Sequence, residues 1–376
     1  MDCPYCPKER GDKMNYPKNL KKGDTIGICA PSGGITKEVD IKKLEYAEKN
    51  LQNMGYKIIE TKSVRNEYKG RSATGKQRAE EFMQLLENPD VKLIIFAAGG
   101  DFLVEMLDYL DFNKIKELEP KWMQGYSDIT GINYLFNTIL DIPSIYCQNI
   151  KDYCIKPISR NLSDALKIAS GEEIEQKSFE KYGKIPDFRN TFNEEEKSNE
   201  ELSEEENGNN ELSEEEITKE HEFTEKVEWK NLNNESKINI KGRALGGCLD
   251  VLKTFIGTKY DNVNNYIEKH KKDGIIWFLE VFEMSTPTLY LTLWQMKEAG
   301  YFKNCTGIIF GRPLFIRNDY DTDFNQTVKE VLGDLKIPII CDADIGHVKP
   351  QLAIVNGAIL DITSENGKGL VKTYLK

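Results

Sequence analysis

The sequence predicts an α/β protein of two domains, and three observations lead to this fold class. Short apolar runs alternate with amphipathic segments of helical spacing along most of the chain. The apolar runs, such as IGICA at 26–30 and KLIIFAA at 92–98, are nearly continuous, which is typical of strands buried on both faces of a parallel sheet. The length of 376 residues fits about two domains, at roughly 150 residues each.

The first half shows the pattern of a doubly wound parallel-sheet domain, which we place at residues 16–180 after a flexible segment at 1–15. Its predicted elements are a strand at 24–33, a helix at 39–55, a strand at 56–62, a helix at 75–88, a strand at 91–101, a helix at 102–110, and a strand, tight turn and helix over 121–140.

The second half predicts a mixed α/β domain at residues 236–376. Gly246 and Gly247 turn the chain into an apolar helix. The later predicted elements are strands at 274–283, 305–314 and 337–347, helices at 288–302 and 327–335, and a terminal hairpin of 352–362 and 369–375 that turns around Asn356-Gly357.

An acidic, low-complexity stretch separates the two domains, within a linker that we place at 181–235. Residues 191–228 hold sixteen Glu and three Lys, and the hexapeptide ELSEEE occurs twice. Such polarity cannot bury enough apolar surface to offset ordering entropy, so we expect a disordered or loosely helical, solvated insertion. The alternative is that it overhangs a cleft between the domains and disfavours anionic substrates.

The insertion also accounts for the acidity of the chain. The net charge is −11 overall, but the residues outside 191–228 carry +2, so anionic small molecules stay admissible as ligands. There is no basic cluster of the kind that nucleic acids bind, and no apolar run near the roughly 20 residues of a membrane span. We therefore expect a cytoplasmic protein with no nucleic-acid or membrane partner.

Eight cysteines in a chain of this length do not indicate a disulfide scaffold, and most lie in apolar runs where a reduced thiol packs as a small hydrophobe. Cys3 and Cys6 form a C-x-x-C pair. It is either half of a zinc site that a second chain completes or part of a frayed terminus, and we favour the terminus.

Only three histidines can serve as a base, and two of them lie in charged runs: His221 in the acidic insertion and His270 in EKHKKDG. His347 instead follows the apolar strand IPII and its extension CDADIG, at a strand end where α/β proteins place functional groups. A satisfied structural histidine is the alternative at this position.

Ser127 in MQGYSDIT is the candidate nucleophile. It lies between a predicted strand and helix, two residues after Gly125, as in the tight turn that lifts a nucleophilic serine above a sheet edge. The second glycine of that motif is replaced by Ile129, and a plain helix cap is the alternative role for this serine.

A serine hydroxyl needs a base, and the base needs an acceptor that fixes its tautomer. Glu280 ends the apolar strand IIWFLE, where a charge is costly unless it is paired, and Glu283 is its rival. The backbone N–H of Gly100, in a Gly-Gly pair after LIIFAA, could join that of Asp128 in an oxyanion hole.

Taken together, these segments resemble, in order, the blocks of the LD-carboxypeptidase family of serine peptidases, which includes the microcin C immunity hydrolases. The blocks are APSGG at 30–34, AAGGD at 97–101, PKWMQGYSDIT at 120–130, GGCLDVLKTFIGT at 246–258, FLEVFE at 278–283 and the GH of DADIGH at 346–347. The resemblance covers nearly the whole chain except residues 1–15 and the acidic insertion.

The resemblance implies a catalytic triad of Ser127, Glu280 and His347, with no metal or other cofactor. It also implies a flavodoxin-like or amidotransferase-like N-terminal domain, an active site between the domains, and a homodimer. Many murein-recycling members read Arg-Gly-Gly-Tyr-Gly where this chain has AGGDF at 98–102, a variant that looks closer to the immunity hydrolases. The implied substrate is a murein tetrapeptide that loses its terminal D-amino acid, or alternatively a peptidyl-nucleotide cut at its aminoacyl amide.

Two other functions fit parts of the sequence. The spacing D-x-D-x-x-H of Asp342, Asp344 and His347 permits a metal site. A two-domain ligand-binding protein, with a closing cleft and no chemistry, is the alternative that is not an enzyme.

Overall fold

The computed structural model of the chain describes residues 13–185, 213–220 and 222–376. Cys3, Cys6 and His221 lie outside the described residues, as do most of the predicted N-terminal segment and the first part of the acidic stretch. No helix among the described residues is long and apolar enough to cross a bilayer.

A twelve-residue strand at Lys237–Cys248, which the sequence pattern does not predict, contains Gly246 and Gly247, so these glycines lie within a strand rather than at a turn into a helix. The described strands also include those of the predicted apolar runs. They are β1 (Thr25–Cys29), β2 (Lys57–Glu60), β3 (Val91–Phe96), β4 (Trp122–Gly125), β5 (Ser144–Tyr146), β6 (Ile174–Lys177), β7 (Lys181–Tyr182), β8 (Glu225–Lys226), β9 (Lys230–Asn231), β10 (Lys237–Cys248), β11 (Ile275–Glu280), β12 (Glu283–Ser285), β13 (Cys305–Gly311), β14 (Phe315–Arg317), β15 (Ile339–Ala343), β16 (Ile354–Asn356), β17 (Ile359–Glu365) and β18 (Lys368–Tyr374).

The α-helices include most of the predicted ones and three that were not predicted, at 112–117, 160–169 and 263–269. They are α1 (Glu38–Asn53), α2 (Gly75–Glu87), α3 (Phe112–Glu117), α4 (Thr130–Leu140), α5 (Arg160–Ala169), α6 (Glu214–Thr218), α7 (Leu249–Leu252), α8 (Val263–Lys269), α9 (Thr286–Glu298) and α10 (Phe324–Leu332). Short 3₁₀ helices cover Leu103–Tyr109, Ser127–Ile129, Ile150–Cys154, Lys253–Phe255 and Gly333–Leu335. The segment predicted as a helix at 102–110 is thus a 3₁₀ helix.

Two sheets form the two predicted α/β units. The first has the order β16-β5-β4-β3-β1-β2, and its pairs from β5 to β2 are all parallel. The second has the order β6-β18-β17-β10-β11-β13-β15-β9, with parallel pairs from β10 to β15 and antiparallel pairs on either side. The fold is therefore a mixed α/β fold in two parts.

Helices cover both faces of the first sheet, as the continuous apolar strands predict. Ile26 and Ile28 of β1 pack with α1 and α5, whereas Ile94 and Phe96 of β3 face α2 and α4 in a separate cluster. That second cluster continues into the second sheet through side chains such as Trp277. The two units therefore share part of one core.

The terminal hairpin was predicted with its turn at the wrong position, Asn356-Gly357. Asn356 ends β16, which pairs antiparallel with β5 of the first sheet, and the chain then crosses to the second sheet. The Asn356 amide is bound to the backbone of Gly246 by two hydrogen bonds, of 3.0 and 3.2 Å. The hairpin joins β17 and β18 and turns at Asn366-Gly367, where both residues have positive φ. This dipeptide is the same Asn-Gly turn signal as the one at 356–357.

The described end of the acidic stretch lies against the first unit. Lys156 pairs with Glu214 of α6 at 2.9 Å, and its backbone N–H donates to the carbonyl of Thr218 at 3.0 Å. The thiol of Cys154 donates to the carbonyl of Ile217 at 3.5 Å. This part of the stretch is therefore attached to the folded protein rather than fully solvated.

Candidate active site

Ser127 lies directly after β4, at the carboxyl end of a parallel strand. Its φ is +66°, a left-handed conformation that costs a non-glycine residue energy and that recurs at functional turns. Glycines make room for the turn: a Cβ on Gly99 would lie 2.8 Å from Ser127 Oγ, and one on Gly125 would lie 2.9 Å from Ile129. The local sequence therefore presents the Ser127 hydroxyl at the sheet edge.

His347 lies in the loop after β15 of the second sheet, and its ring reaches Ser127. The distance from His347 Nε2 to Ser127 Oγ is 3.0 Å. The preceding residue, Gly346, has a φ of +93°, and a Cβ there would lie 2.6 Å from the Glu280 carboxylate. A glycine at 346 therefore allows the loop to approach Glu280 and to place the imidazole between the two sheets.

Glu280 ends β11 and is fully buried. Its Oε2 lies 2.9 Å from His347 Nδ1, and its Oε1 accepts a hydrogen bond of 2.6 Å from the Tyr146 hydroxyl. Burial alone would raise the pKa of this carboxyl group, but the charge and hydrogen bond of His347 and the bond from Tyr146 hold the pKa below its ordinary value. Glu280 is therefore set to be ionised and to orient the imidazole.

The rival carboxylate is not placed for this role. Glu283 begins β12 with its side chain exposed, and its backbone N–H donates to Asp250. The structure therefore brings together Ser127, His347 and Glu280. Ser127 comes from the turn after β4, His347 from the loop after β15, and Glu280 from the end of β11. Two of these residues come from the second sheet and one from the first.

Two aromatic rings pack close to the imidazole. The ring centroids of Tyr126 and Phe282 lie 4.9 and 4.7 Å from that of His347. Asp250 fixes the turn that carries Phe282, because its carboxylate accepts the backbone N–H groups of Phe282 and Glu283 at 2.9 and 3.1 Å. These contacts restrict the orientation of the His347 ring.

A cavity of about 380 Å³ opens beside Ser127. Gly100 and Asp128, whose backbone N–H groups are the predicted oxyanion donors, line this cavity with the serine. Gly100 has a φ of +144°, and a Cβ there would lie 2.4 Å from Ser32 Oγ. The Asp128 carboxylate accepts hydrogen bonds from Ser32 Oγ at 2.5 Å and from the Leu103 N–H at 3.0 Å, which ties the turn to the neighbouring loops.

The alternative metal set does not converge. Asp344 is buried against Arg312 at 2.6 Å, Asp342 pairs with Lys230 at 2.8 Å, and His347 points to Ser127 and Glu280. No group of three metal-ligating side chains occurs among the residues that the structure describes.

Sequence reasoning missed Tyr146, Phe282 and Asp250. Tyr146 ends β5, which pairs with the strand that precedes Ser127. The sequence pattern predicts no strand there, so the position of Tyr146 at the same sheet edge follows only from the strand order. The sequence holds no signal for Asp250 either, because a carboxylate two residues after Cys248 gives no indication of the backbone N–H groups that it binds. Phe282 lies within the FLEVFE segment, two residues after Glu280, but periodicity does not predict a ring contact with His347.

A serine, a histidine and a buried carboxylate linked in this way between two α/β units are the arrangement of a serine hydrolase. The LD-carboxypeptidase N-terminal domain model matches residues 26–147, and the LD-carboxypeptidase C-terminal domain model matches residues 241–362. The chain belongs to the LD-carboxypeptidase family of peptidases.

Named relatives come from both branches of this family. The chain is 22% identical to the probable murein peptide carboxypeptidase of Bacillus subtilis (strain 168) over 349 residues, which cover 92% of this chain and 91% of the relative. It is 26% identical to the microcin C7 self-immunity protein MccF of Escherichia coli over 357 residues, 92% of each chain. The solved structure of MccF in complex with glutamyl sulfamoyl guanosine matches with a TM-score of 0.71 and 21% identity over 96% of this chain and 98% of that one. The fold is thus the fold of MccF.

Proposed function

We propose that this peptidase hydrolyses an amide bond with Ser127 as nucleophile, His347 as general base and acid, and Glu280 as the group that orients His347. One observation carries the proposal: a continuous line of hydrogen-bonding contacts runs from Ser127 to His347, Glu280 and Tyr146 at 3.0, 2.9 and 2.6 Å. These separations lie within the reach that proton transfer requires.

The proposed mechanism is acyl transfer to water. His347 Nδ1–H donates to Glu280, which leaves Nε2 free to take the proton of Ser127 as its oxygen attacks the carbonyl carbon. The backbone N–H groups of Gly100 and Asp128 stabilise the oxyanion. The protonated His347 then gives its proton to the leaving amine, and water, activated by the same imidazole, hydrolyses the acyl-enzyme.

The first candidate substrate is a murein tetrapeptide, from which the enzyme would release the terminal D-amino acid by cutting an L,D-peptide bond. The support is the membership of the LD-carboxypeptidase family and the similarity to a probable murein peptide carboxypeptidase.

The second candidate is a peptidyl-nucleotide of the microcin type, cut at its aminoacyl amide. The segment AGGDF at 98–102, which lacks the arginine and tyrosine of many murein-recycling members, favours it. The similarity to MccF, solved with a glutamyl sulfamoyl guanosine, supports the same class.

A direct experiment separates the two candidates. The protein is incubated with a murein tetrapeptide and, separately, with an aminoacyl sulfamoyl nucleoside, and products are identified by mass. Turnover of either should fall by about 10³-fold or more in Ser127→Ala, because the attacking oxygen is removed. Ser163→Ala, on α5, is the matched control and should keep full activity. Undiminished turnover by Ser127→Ala would contradict the proposal.

We also propose that the enzyme is a homodimer. Tyr290, Leu291 and Trp294 of α9 are 42%, 62% and 50% exposed, and such a group of large apolar side chains is typical of a protein interface. Light scattering should give twice the chain mass of 43.1 kDa, and Leu291→Asp should weaken the assembly. A single-chain mass at micromolar concentration would contradict a dimer.

A further inference from the structure

The cavity beside Ser127 carries charge of one sign. Its ionisable side chains other than the thiol of Cys248 are three carboxylates, those of Asp101, Asp128 and Asp250. None of the described residues that line it is a lysine, an arginine or a histidine. The charge of Lys253 offsets part of the effect of burial on the pKa of Asp250, and that of Arg78 does the same for Asp128, but neither cation lines the cavity.

Two of these carboxylates have internal partners. Asp128 accepts from Ser32 and Leu103, and Asp250 accepts from the backbone of the turn at Phe282. Burial raises the pKa of both groups above the ordinary value.

Asp101 differs from the other two. Its side chain is exposed at the cavity, and it has no hydrogen bond or ion pair within the part of the chain that the structure describes. Its carboxylate is therefore available to a ligand.

An aromatic side chain lines the same cavity. Phe282 is 36% exposed, although its ring also contacts His347, and it lines the cavity together with Val104 and Val251. A carboxylate and an aromatic ring that line one cavity together with short apolar side chains are groups that recognise an organic cation.

We propose that the substrate group that enters this cavity carries a primary ammonium, and that Asp101 and Phe282 are the residues that select it. This inference rests on the proposed function, since it concerns the same serine. The substrate class is then an amide whose acyl part carries a free amino group. A murein peptide can supply that group from a diamino acid, and an aminoacyl nucleotide can supply it from its α-amine.

The test uses three fluorophosphonates with tails of equal length that end in an ammonium, a hydroxyl or a carboxylate. Ser127 Oγ attacks phosphorus, the P–F bond breaks with loss of fluoride, and His347 takes the serine proton. The rate of labelling therefore reports the preference of the cavity without knowledge of the natural substrate.

We expect the ammonium probe to label about five-fold faster than the hydroxyl probe, from one exposed ion pair and one cation–π contact, and the carboxylate probe to label slowest. High salt should reduce these ratios because the Asp101 pair is exposed. In Asp101→Asn the ion pair is lost, so the ratio of the ammonium-probe labelling rate to the hydroxyl-probe labelling rate should fall. The preference that remains should be the one due to the cation–π contact with Phe282 alone.

Asp90→Asn is the matched control, because Asp90 is an exposed carboxylate just before β3 and Asp101 follows the other end of that strand. It should keep the ratios of the unmodified protein. Equal labelling rates for the three probes, or ratios that Asp101→Asn does not change, would overturn the inference alone. Failure of every probe to label Ser127 would contradict the proposed function, and the inference would fall with it.

Discussion

The hydroxyl of Tyr146 donates a hydrogen bond of 2.6 Å to Glu280, from the first sheet to the second. Glu280 uses its other oxygen for His347, so both carboxylate oxygens are engaged although the residue is fully buried. A buried carboxylate that is paired in this way stays ionised, and an ionised Glu280 is what the imidazole requires. Tyr146 is thus a positioning residue that acts through Glu280.

Replacing Tyr146 by Phe tests this role. The change removes one hydrogen bond to a charged acceptor, worth about 1.5–3 kcal/mol, and keeps the ring. We expect kcat to fall by about ten-fold. We also expect the acid limb of the pH–rate profile to move to higher pH, because the pKa of Glu280 rises when a donor is lost. A profile with an unchanged acid limb would contradict the role of Tyr146.

We also expect Tyr146→Phe to change the pH dependence of the free energy of unfolding. The folded-state pKa of Glu280 is lowered, so its contribution to stability is present above the unfolded pKa of about 4.3 and is lost as pH falls through the folded value. In Tyr146→Phe the folded pKa is higher, so the contribution of Glu280 above the unfolded pKa should be smaller, and its loss should be complete at a higher pH. Urea unfolding between about pH 3 and pH 7 measures it, and identical curves for the two proteins would argue against the pairing.

Glu280→Gln and Glu283→Gln form a matched pair. A glutamine at 280 can present its amide N–H₂ to His347 Nδ1 and so favour the wrong tautomer, for which we expect a loss in kcat on the order of 10³- to 10⁴-fold. Glu283 is exposed and does not contact His347, so Glu283→Gln should keep its activity. Steady-state kinetics with whichever substrate is turned over distinguishes them. A larger loss at 283 than at 280 would show that the wrong carboxylate has been assigned.

Gly99→Ala tests the space beside the nucleophile. The added Cβ would lie 2.8 Å from Ser127 Oγ and 2.9 Å from its Cβ, so the serine must move from His347. We expect a loss of activity of about ten-fold or more, since a displacement near 1 Å at the reacting group is costly. Gly333→Ala is the control, because a Cβ there meets only Lys329, at 3.8 Å. Full activity in Gly99→Ala would contradict this packing.

Asp250→Asn tests the turn that carries Phe282. An asparagine has one oxygen where the carboxylate uses two, so one of the two backbone N–H groups at 282 and 283 loses its partner. We expect slower fluorophosphonate labelling of Ser127, by about ten-fold, as the Phe282 ring shifts from His347. Asp90→Asn serves again as the control. An unchanged labelling rate would show that the turn does not position the imidazole.

Much of the site could be predicted because its residues follow strands. Ser127, Glu280 and His347 each come directly after an apolar run or at its end, and the ends of parallel strands are where α/β proteins place reactive groups. The prediction that Ser127 pairs with His347, which belongs to a different sheet, depended on the family resemblance, because the periodicity of apolar residues does not determine the order of strands in a sheet.

The errors have a physical cause as well. Asn356-Gly357 and Asn366-Gly367 carry the same turn signal, and only the second joins paired strands. The conformation at Asn356-Gly357 is determined by distant partners, because the Asn356 side chain binds the backbone of Gly246 and β16 pairs with β5. Hydrogen bonds between residues more than a hundred positions apart, like that of Tyr146 with Glu280, leave no local pattern.

The most direct test of the central claim is the mass-spectrometric location of a fluorophosphonate adduct. The account predicts one adduct on Ser127, none in Ser127→Ala, and labelling slower by about 10²-fold or more in His347→Ala, since the serine then lacks its base. An adduct on another residue, or labelling at the full rate without His347, would contradict the assignment of Ser127 and His347 as nucleophile and base.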